Sequence, residues 1–490
     1  MATQMSTLAT AEDPHGKPES LPEIRPAPES VHAAVPASRL TVDERRARSR
    51  ALRAKTPRSS QAFWAEAPSR PDPIALLEAQ AATRLPDLIP IRYARMRASP
   101  FAFLRGSAIV MAHDLAHTPC TGIQTQLCGD CHCSNFGAYA SPERSLLFDI
   151  NDLDETYPGP WEWDVKRLAA SVHVAGRSNG FADADCRAAV LAGVQSYRRH
   201  MAEFAEMRTL EVWYTHVTVD NLLDLVTDKQ TKKRALKQVE KIRQRGSTQA
   251  AAKLTQVVDG HRIIANDPPL VMRVTEEQLG GEVRMLFDKY AQTLRGAQRH
   301  VLDRFEIVDV ARKVVGVGSV GTRCFIVLLT GRDSDDPLFL QVKEAEASVL
   351  EAHLPKANYK HQGERVVAGL ELMQAASDIF LGWMTGPGGR DFYWRQLRDM
   401  KGAVEVAALS SANLALYSSL CGRALARAHA RASGNAVEIA AYLGVSDRFD
   451  QAIGSFAEAY ANQTERDYQA LLNAIDTGRV VAAPTDSRHE

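Results

Sequence analysis

Between residues 128 and 155 the chain reads CGDCHCSNFG and then, a short way on, FDINDLDE. Hard oxygen donors are dense here: Asp130, Asn135, Asp149, Asp152 and Asp154. Such donors suit Mg2+. Phosphoryl transfer asks little more of a protein than these ligands, a carboxylate to orient or deprotonate an acceptor hydroxyl, and cations for the phosphates. Asp130 and Asn135 share one polar turn. Residues 145–150 have the pattern of a short buried strand ending in acidic residues. Turn, strand and second acidic turn can therefore converge on one site. A metal–thiolate reading competes, because Cys128, Cys131, His132 and Cys133 are close in sequence and Cys120 is near. Structural zinc sites pair ligand turns at a distance, and this chain has a single cluster. His132 reads as a hydrogen-bonding residue of the loop.

A second set of residues lies far downstream. Gly316, Gly318 and Gly321 form GxGxxG, with Ser319 inside it. Glycines allow tight turns and close backbone approach to phosphate oxygens. A dinucleotide fold needs a helix directly after them, but residues 322–329 are β-like, which favours a glycine hairpin. The strand 338–343 then closes on Lys343, as in kinases, where such a lysine bridges the nucleotide phosphates. Its carboxylate partner is expected on the helix read at 363–376. Glu364 is the first choice, with Glu346, Glu351 and Glu371 as alternatives. Residues 398–402 fall where a kinase hinge would hold adenine.

The run G-D-x-H-x-x-N at 129–135, followed by a strand ending in Asp, resembles the catalytic and metal-binding loops of aminoglycoside and choline kinase-like enzymes. The resemblance implies Asp130 as catalytic base and Asn135 as a metal ligand. It implies Asp152 as the main metal ligand, with Asp149 competing for that role and Asp154 in support. Cys128 stands where those families carry a histidine. Asp164 falls where they carry a carboxylate that steadies the catalytic loop. Together with WEWDVKRLAAS at 161–171, the stretch also resembles a bacterial family known only as domain of unknown function 2252, over most of residues 75–475. That family is grouped with the protein kinase-like fold.

In ordinary kinases the glycine loop and lysine precede the catalytic loop; here they follow it. The resemblance therefore implies a circularly permuted fold, which is physically tolerable because tertiary contacts assemble the site. Residues 420–429, LCGRALARAH, resemble the helix that normally leads into the catalytic loop and should pack beside residues 120–137. The expected fold class is α+β, a two-lobed kinase-like arrangement with a mostly helical large lobe and a small antiparallel β lobe. Residues 1–60 read as a disordered, basic-ended tail. Residues 61–303 read as a helical lobe with both acidic loops, 304–402 as a β-rich nucleotide-binding lobe, 403–478 as a helical return, and 479–490 as a tail.

The bulk numbers agree with a large globular enzyme. The chain has 490 residues, 45% of them apolar and 24% charged, with zero formal net charge. No global field draws it to nucleic acid or anionic membrane. No apolar run approaches the roughly 18 residues of a membrane span. Seven cysteines without a framework spacing, and no secretory h-region, point to the cytoplasm. The expectation is an ATP- and Mg2+-dependent phosphotransferase of unreadable acceptor, its specificity placed by position alone in residues 200–300. Transfer of AMP to a protein and a silent nucleotide-binding scaffold are the alternatives.

Overall fold

A computed structural model describes residues 40–224, 229–274, 283–397 and 400–484. The fold is mixed α+β with small antiparallel sheets. Four strands surround the acidic segment: β1 (Gln124–Leu127), β2 (Phe136–Ala140), β3 (Leu146–Ile150) and β4 (Tyr157–Pro160). A hairpin follows, β5 (Thr255–Val258) and β6 (His261–Ile264), then β7 (Val271–Arg273), β8 (Glu306–Lys313), β9 (Cys324–Thr330), β10 (Pro337–Glu344), β11 (Gly382–Thr385), β12 (Asp391–Gln396) and β13 (Gly402–Ala403). The largest sheet has six strands in the order β11-β12-β10-β9-β8-β7, all antiparallel. β1 pairs with β4, and β13 returns to pair with β2 beside β3.

Strand alternation explains how the large sheet presents Lys343. β10 is buried along its whole length. Leu338, Leu340 and Val342 face a core with Phe287, Tyr290, Leu294 and Trp394. Phe339, on the opposite face, packs with Ala250, Ala251, Ile326 and Leu328. Gln341 and Lys343 continue that second face, so one strand runs from sealed core to polar site. Both cores draw on residues before 304, the expected start of the β-rich part. The helices Ser247–Leu254, Val283–Ala291 and Gly296–Leu302 belong to this sheet, because its two apolar faces need cover that residues 304–402 do not supply.

The largest core lies among the helices Glu162–Ser178, Asp183–Glu206, Ser411–Ser433 and Arg448–Asp476. The alanine-rich sequence at 420–429 has a steric reason. A Cβ on Gly422 would lie 2.1 Å from the Gly193 carbonyl oxygen, so these two helices cross at backbone contact.

The expected N-terminal tail is corrected from residue 40 on; residues 1–39 lie outside the described ones. Val42–Lys55 is a helix with a capping box between Thr41 and Glu44. Two of its arginines, and Arg58 just beyond it, reach a neighbouring helix, Ala436–Leu443. Arg45 grips Glu438 at 2.6 and 2.7 Å. Arg53 donates to the Tyr442 carbonyl and Arg58 to that of Leu443. Helix C-termini leave carbonyls without partners, and cations there are favoured by the helix dipole. The expected C-terminal tail is likewise anchored at its start: Arg479 pairs with Asp72 and Glu78, and Val480 is buried. Among the described residues no helix is long and apolar enough to cross a membrane.

Candidate active site

The loop after β1 is held by one helix. Asp164, in the first turn of Glu162–Ser178 where a negative charge is favoured, accepts hydrogen bonds from the Cys128 and Gly129 amides at 2.6 and 3.0 Å. His429 of the helix Ser411–Ser433 contacts the same carboxylate at 3.1 Å, and the Tyr197 hydroxyl meets the other ring nitrogen at 2.9 Å. One turn after Asp164, Arg167 donates through Nε to Asp130 Oδ1 at 2.7 Å. The helix thus fixes both the loop backbone and its carboxylate. Asn135 Nδ2 donates to the Asp130 carbonyl at 2.7 Å, and the Asn135 carbonyl accepts from the Asn151 amide at 2.7 Å. Burial pushes the His132 pKa down to about 3, so its ring is neutral, 3.7 Å from Asp130 Oδ2.

Asp154 is the most connected of the acidic residues after β3. It pairs with the Lys343 ammonium and accepts from the Tyr393 hydroxyl at 2.6 Å and from Ser319 Oγ at 3.4 Å. Asp152 Oδ1 lies 3.7 Å from Lys343 Nζ; it is shielded and accepts no hydrogen bond. Burial, and then the neighbouring Asp154, raise the Asp152 pKa. Burial acts the same way on Asp154, but Lys343 and Arg395 outweigh it and hold that carboxylate well below its ordinary range. Burial would lower the Lys343 pKa; Asp152 and Asp154 reverse this and keep the amine charged. Burial pushes Glu155 up to about 7.

The glycine loop joins β8 to β9 and is held from outside the sheet. Arg84 donates to the Gly318 carbonyl at 2.8 Å, the Leu85 amide to that of Gly321 at 2.8 Å, and Arg95 to that of Gly316. A Cβ on Gly318 would stand 3.2 Å from the Arg105 carbonyl oxygen and 3.9 Å from Asp130 Oδ2. A cavity of about 550 Å³ is lined by Asp130, Asn135, Asp152 and Asp154 from one stretch and by Gly316, Gly318 and Ser319 from the other. Lys343 does not line the cavity itself; it stands behind Asp154, with which it pairs.

Two expected residues stand elsewhere. Asp149 is fully buried near the end of β3, facing Arg427 of Ser411–Ser433 at 2.7 and 2.8 Å, with the Ala375 amide at 2.8 Å. A carboxylate so neutralised is not free for a cation, and it does not line the cavity. Glu364 does not meet Lys343, whose ammonium is taken by Asp154. Glu364 is half-buried at the start of the helix Gln362–Met373. It is the next residue, Arg365, that points inward, donating to the Asp154, Thr156 and Glu346 carbonyls. Gly321 sits at the loop's anchored end. Of the expected hinge, Arg398 and Asp399 lie outside the described residues. Lys401 is half-buried, and burial followed by Arg395 lowers its pKa to about 7.

Cys128, Cys131 and Cys133 are buried free thiols; burial pushes Cys133 up to about 12. Among the described residues they form no group with metal-ligand spacing. The oxygen set suits a hard cation better, and the shielded, unpartnered Asp152 Oδ1 is an acceptor that such an ion would satisfy.

The sequence profile of a family described as "Uncharacterized protein conserved in bacteria (DUF2252)" matches residues 84–474. The chain belongs to the DUF2252 family. The matched span holds both acidic loops, the glycine loop, Lys343 and the helix that carries His429. No curated protein and no solved structure matches the chain.

Asp154 holds more of the site than its place in the sequence suggests, and Arg167 and Tyr393 join it without having been expected there. Arg167 had a signal, standing one helical turn from Asp164. Tyr393 had none, since it becomes a neighbour of Lys343 only through the β10–β12 register.

Proposed function

We propose that this DUF2252 chain is an ATP- and Mg2+-dependent phosphotransferase with a circularly permuted kinase-like arrangement. The observation that carries this reading is the single cavity shared by residues 130–154 and the glycine loop 316–319. Asp130 would orient the acceptor hydroxyl and take its proton at Oδ2, the oxygen that Arg167 Nε leaves free. Asp152, Asp154 and Asn135 would hold Mg2+. The glycine-loop backbone and Lys343 would bind the phosphates, Lys343 turning from Asp154 toward them. Bound Mg2+ would neutralise charge on the transferring phosphoryl group. Seven free thiols fit a cytoplasmic location.

The test is binding of a non-hydrolysable ATP analogue with and without Mg2+, by calorimetry. Mg2+-dependent binding, lost at least tenfold in Lys343→Ala, is expected. No binding by the wild type, or equal binding by Lys343→Ala, overturns the reading. Incubation with γ- or α-labelled ATP then separates phosphoryl transfer from AMP transfer.

A further inference from the structure

The helix Glu162–Ser178, which holds the Asp130 loop at one end, turns a tight corner at the other into Asp183–Glu206. Three side chains of different chemistry meet there. His173 lies in the last turns of the first helix, and Asp183 and Cys186 in the first turn of the second. A ring nitrogen of His173, a carboxylate oxygen of Asp183 and the Cys186 sulfur all lie within 4.8 Å of one another. His173 Nε2 is 3.6 Å from Asp183 Oδ1.

The second observation concerns His173 itself. The residue is 0% exposed, and neither ring nitrogen has a hydrogen-bond partner. Buried side-chain nitrogens are seldom left without any partner. A neutral imidazole presents one lone pair, and here it faces a carboxylate and a thiol. We propose that His173, Asp183 and Cys186 form a divalent transition-metal site suited to Zn2+. Mixed nitrogen, oxygen and sulfur ligands favour Zn2+ over Mg2+ or Ca2+. Ligands of a tetrahedral Zn2+ stand about 3.3–3.8 Å apart at the usual bond lengths, so the His173–Asp183 separation already fits, and Cys186 would have to turn from the Phe181 carbonyl, which its thiol meets at 3.8 Å. Asp183 is exposed and gives an ion its way in from solvent. Water would take the fourth position.

The surroundings orient the carboxylate. Arg177 donates through Nε to Asp183 Oδ1 at 2.7 Å, the same oxygen that lies 3.6 Å from His173 Nε2, so an ion would share this oxygen with the guanidinium. The guanidinium charge is itself met by Glu465 at 3.2 Å, with Asn462 at 2.7 Å. Such partners of a ligand fix its direction. A metal at this corner would staple two helices, independently of the nucleotide reading.

The site is tested on the metal-free full-length protein by Co2+ titration. One equivalent should give a thiolate-to-cobalt charge-transfer band, displaced by Zn2+ and lost in Cys186→Ser. Asp183→Asn, at an exposed position, should weaken Co2+ binding at least tenfold. No thiolate band in the wild type overturns the site. So does a band undiminished in Cys186→Ser, which would assign it to the thiols at 128–133. Should Cys186→Ser fail to fold, Asp183→Asn decides, and unchanged affinity there overturns the proposal.

Discussion

Asp149 and Asp152 stand close in the chain and live in different electrostatic worlds. Asp149 is matched to Arg427 in a sealed interior. Removing one partner of such a pair leaves the other charge uncompensated, at a cost of about 3–5 kcal/mol. Asp149→Asn should therefore lower stability by that order in urea titrations, while the Mg2+ dependence of nucleotide binding by the folded fraction stays as in the wild type. Asp152→Asn should do the reverse, losing Mg2+ dependence with little change in stability. His132 supplies a pH signature. Its native pKa of about 3 lies below the roughly 6.5 of an unfolded chain. Between those values the unfolded state binds the proton and the native state does not, so stability falls as pH drops below about 6.5. His132→Gln should remove up to about 1.4 kcal/mol per pH unit of that slope, measured as the difference between the two proteins' denaturation curves from pH 7 to 5. At this scale the sequence was partly legible. Carboxylate density marked the segment, but the partner that silences Asp149 comes from a distant helix.

Elements decide what a residue faces, and that is where reading by pattern stopped. Glu364 and Arg365 are neighbours in a helix whose existence was plain from its sequence. Which of them turns inward depends on how Gln362–Met373 seats on the sheet, where its position puts Arg365 over the carbonyls after β3. The strand pair β9 and β10 was legible from its apolar runs. The cover over their two faces was not, because helices in 247–302 carry no mark of the partner they pack on. The crossing at Gly193 and Gly422 yields a test of its own. Gly422→Val would put a Cβ 2.1 Å from the Gly193 carbonyl oxygen and so must push the helices apart, and overpacking of this kind costs about 1–3 kcal/mol or more. Thermal unfolding should show the loss, while Gly478→Ala, near the C-terminal end, should show far less despite its positive φ.

For the whole molecule, the basic segment at 42–58 changes meaning. As sequence it has the charge density of a solvated arm. In the fold Arg45, Arg53 and Arg58 meet Ala436–Leu443, so that residues near opposite ends of the chain close on each other. Removal of residues 1–57 should lower the melting temperature by several degrees and loosen amide-exchange protection in 436–443. An unchanged melting curve would return the segment to the status of an arm.

The anchoring of the glycine loop has a kinetic side. Its carbonyls are tethered by Arg84, Leu85 and Arg95, residues that belong to neither β8 nor β9. A loop fastened at several points admits and releases a guest only as fast as those fastenings let go. Traffic through the cavity would then be timed by the segment 84–95 rather than by the chemistry of the carboxylates beneath it.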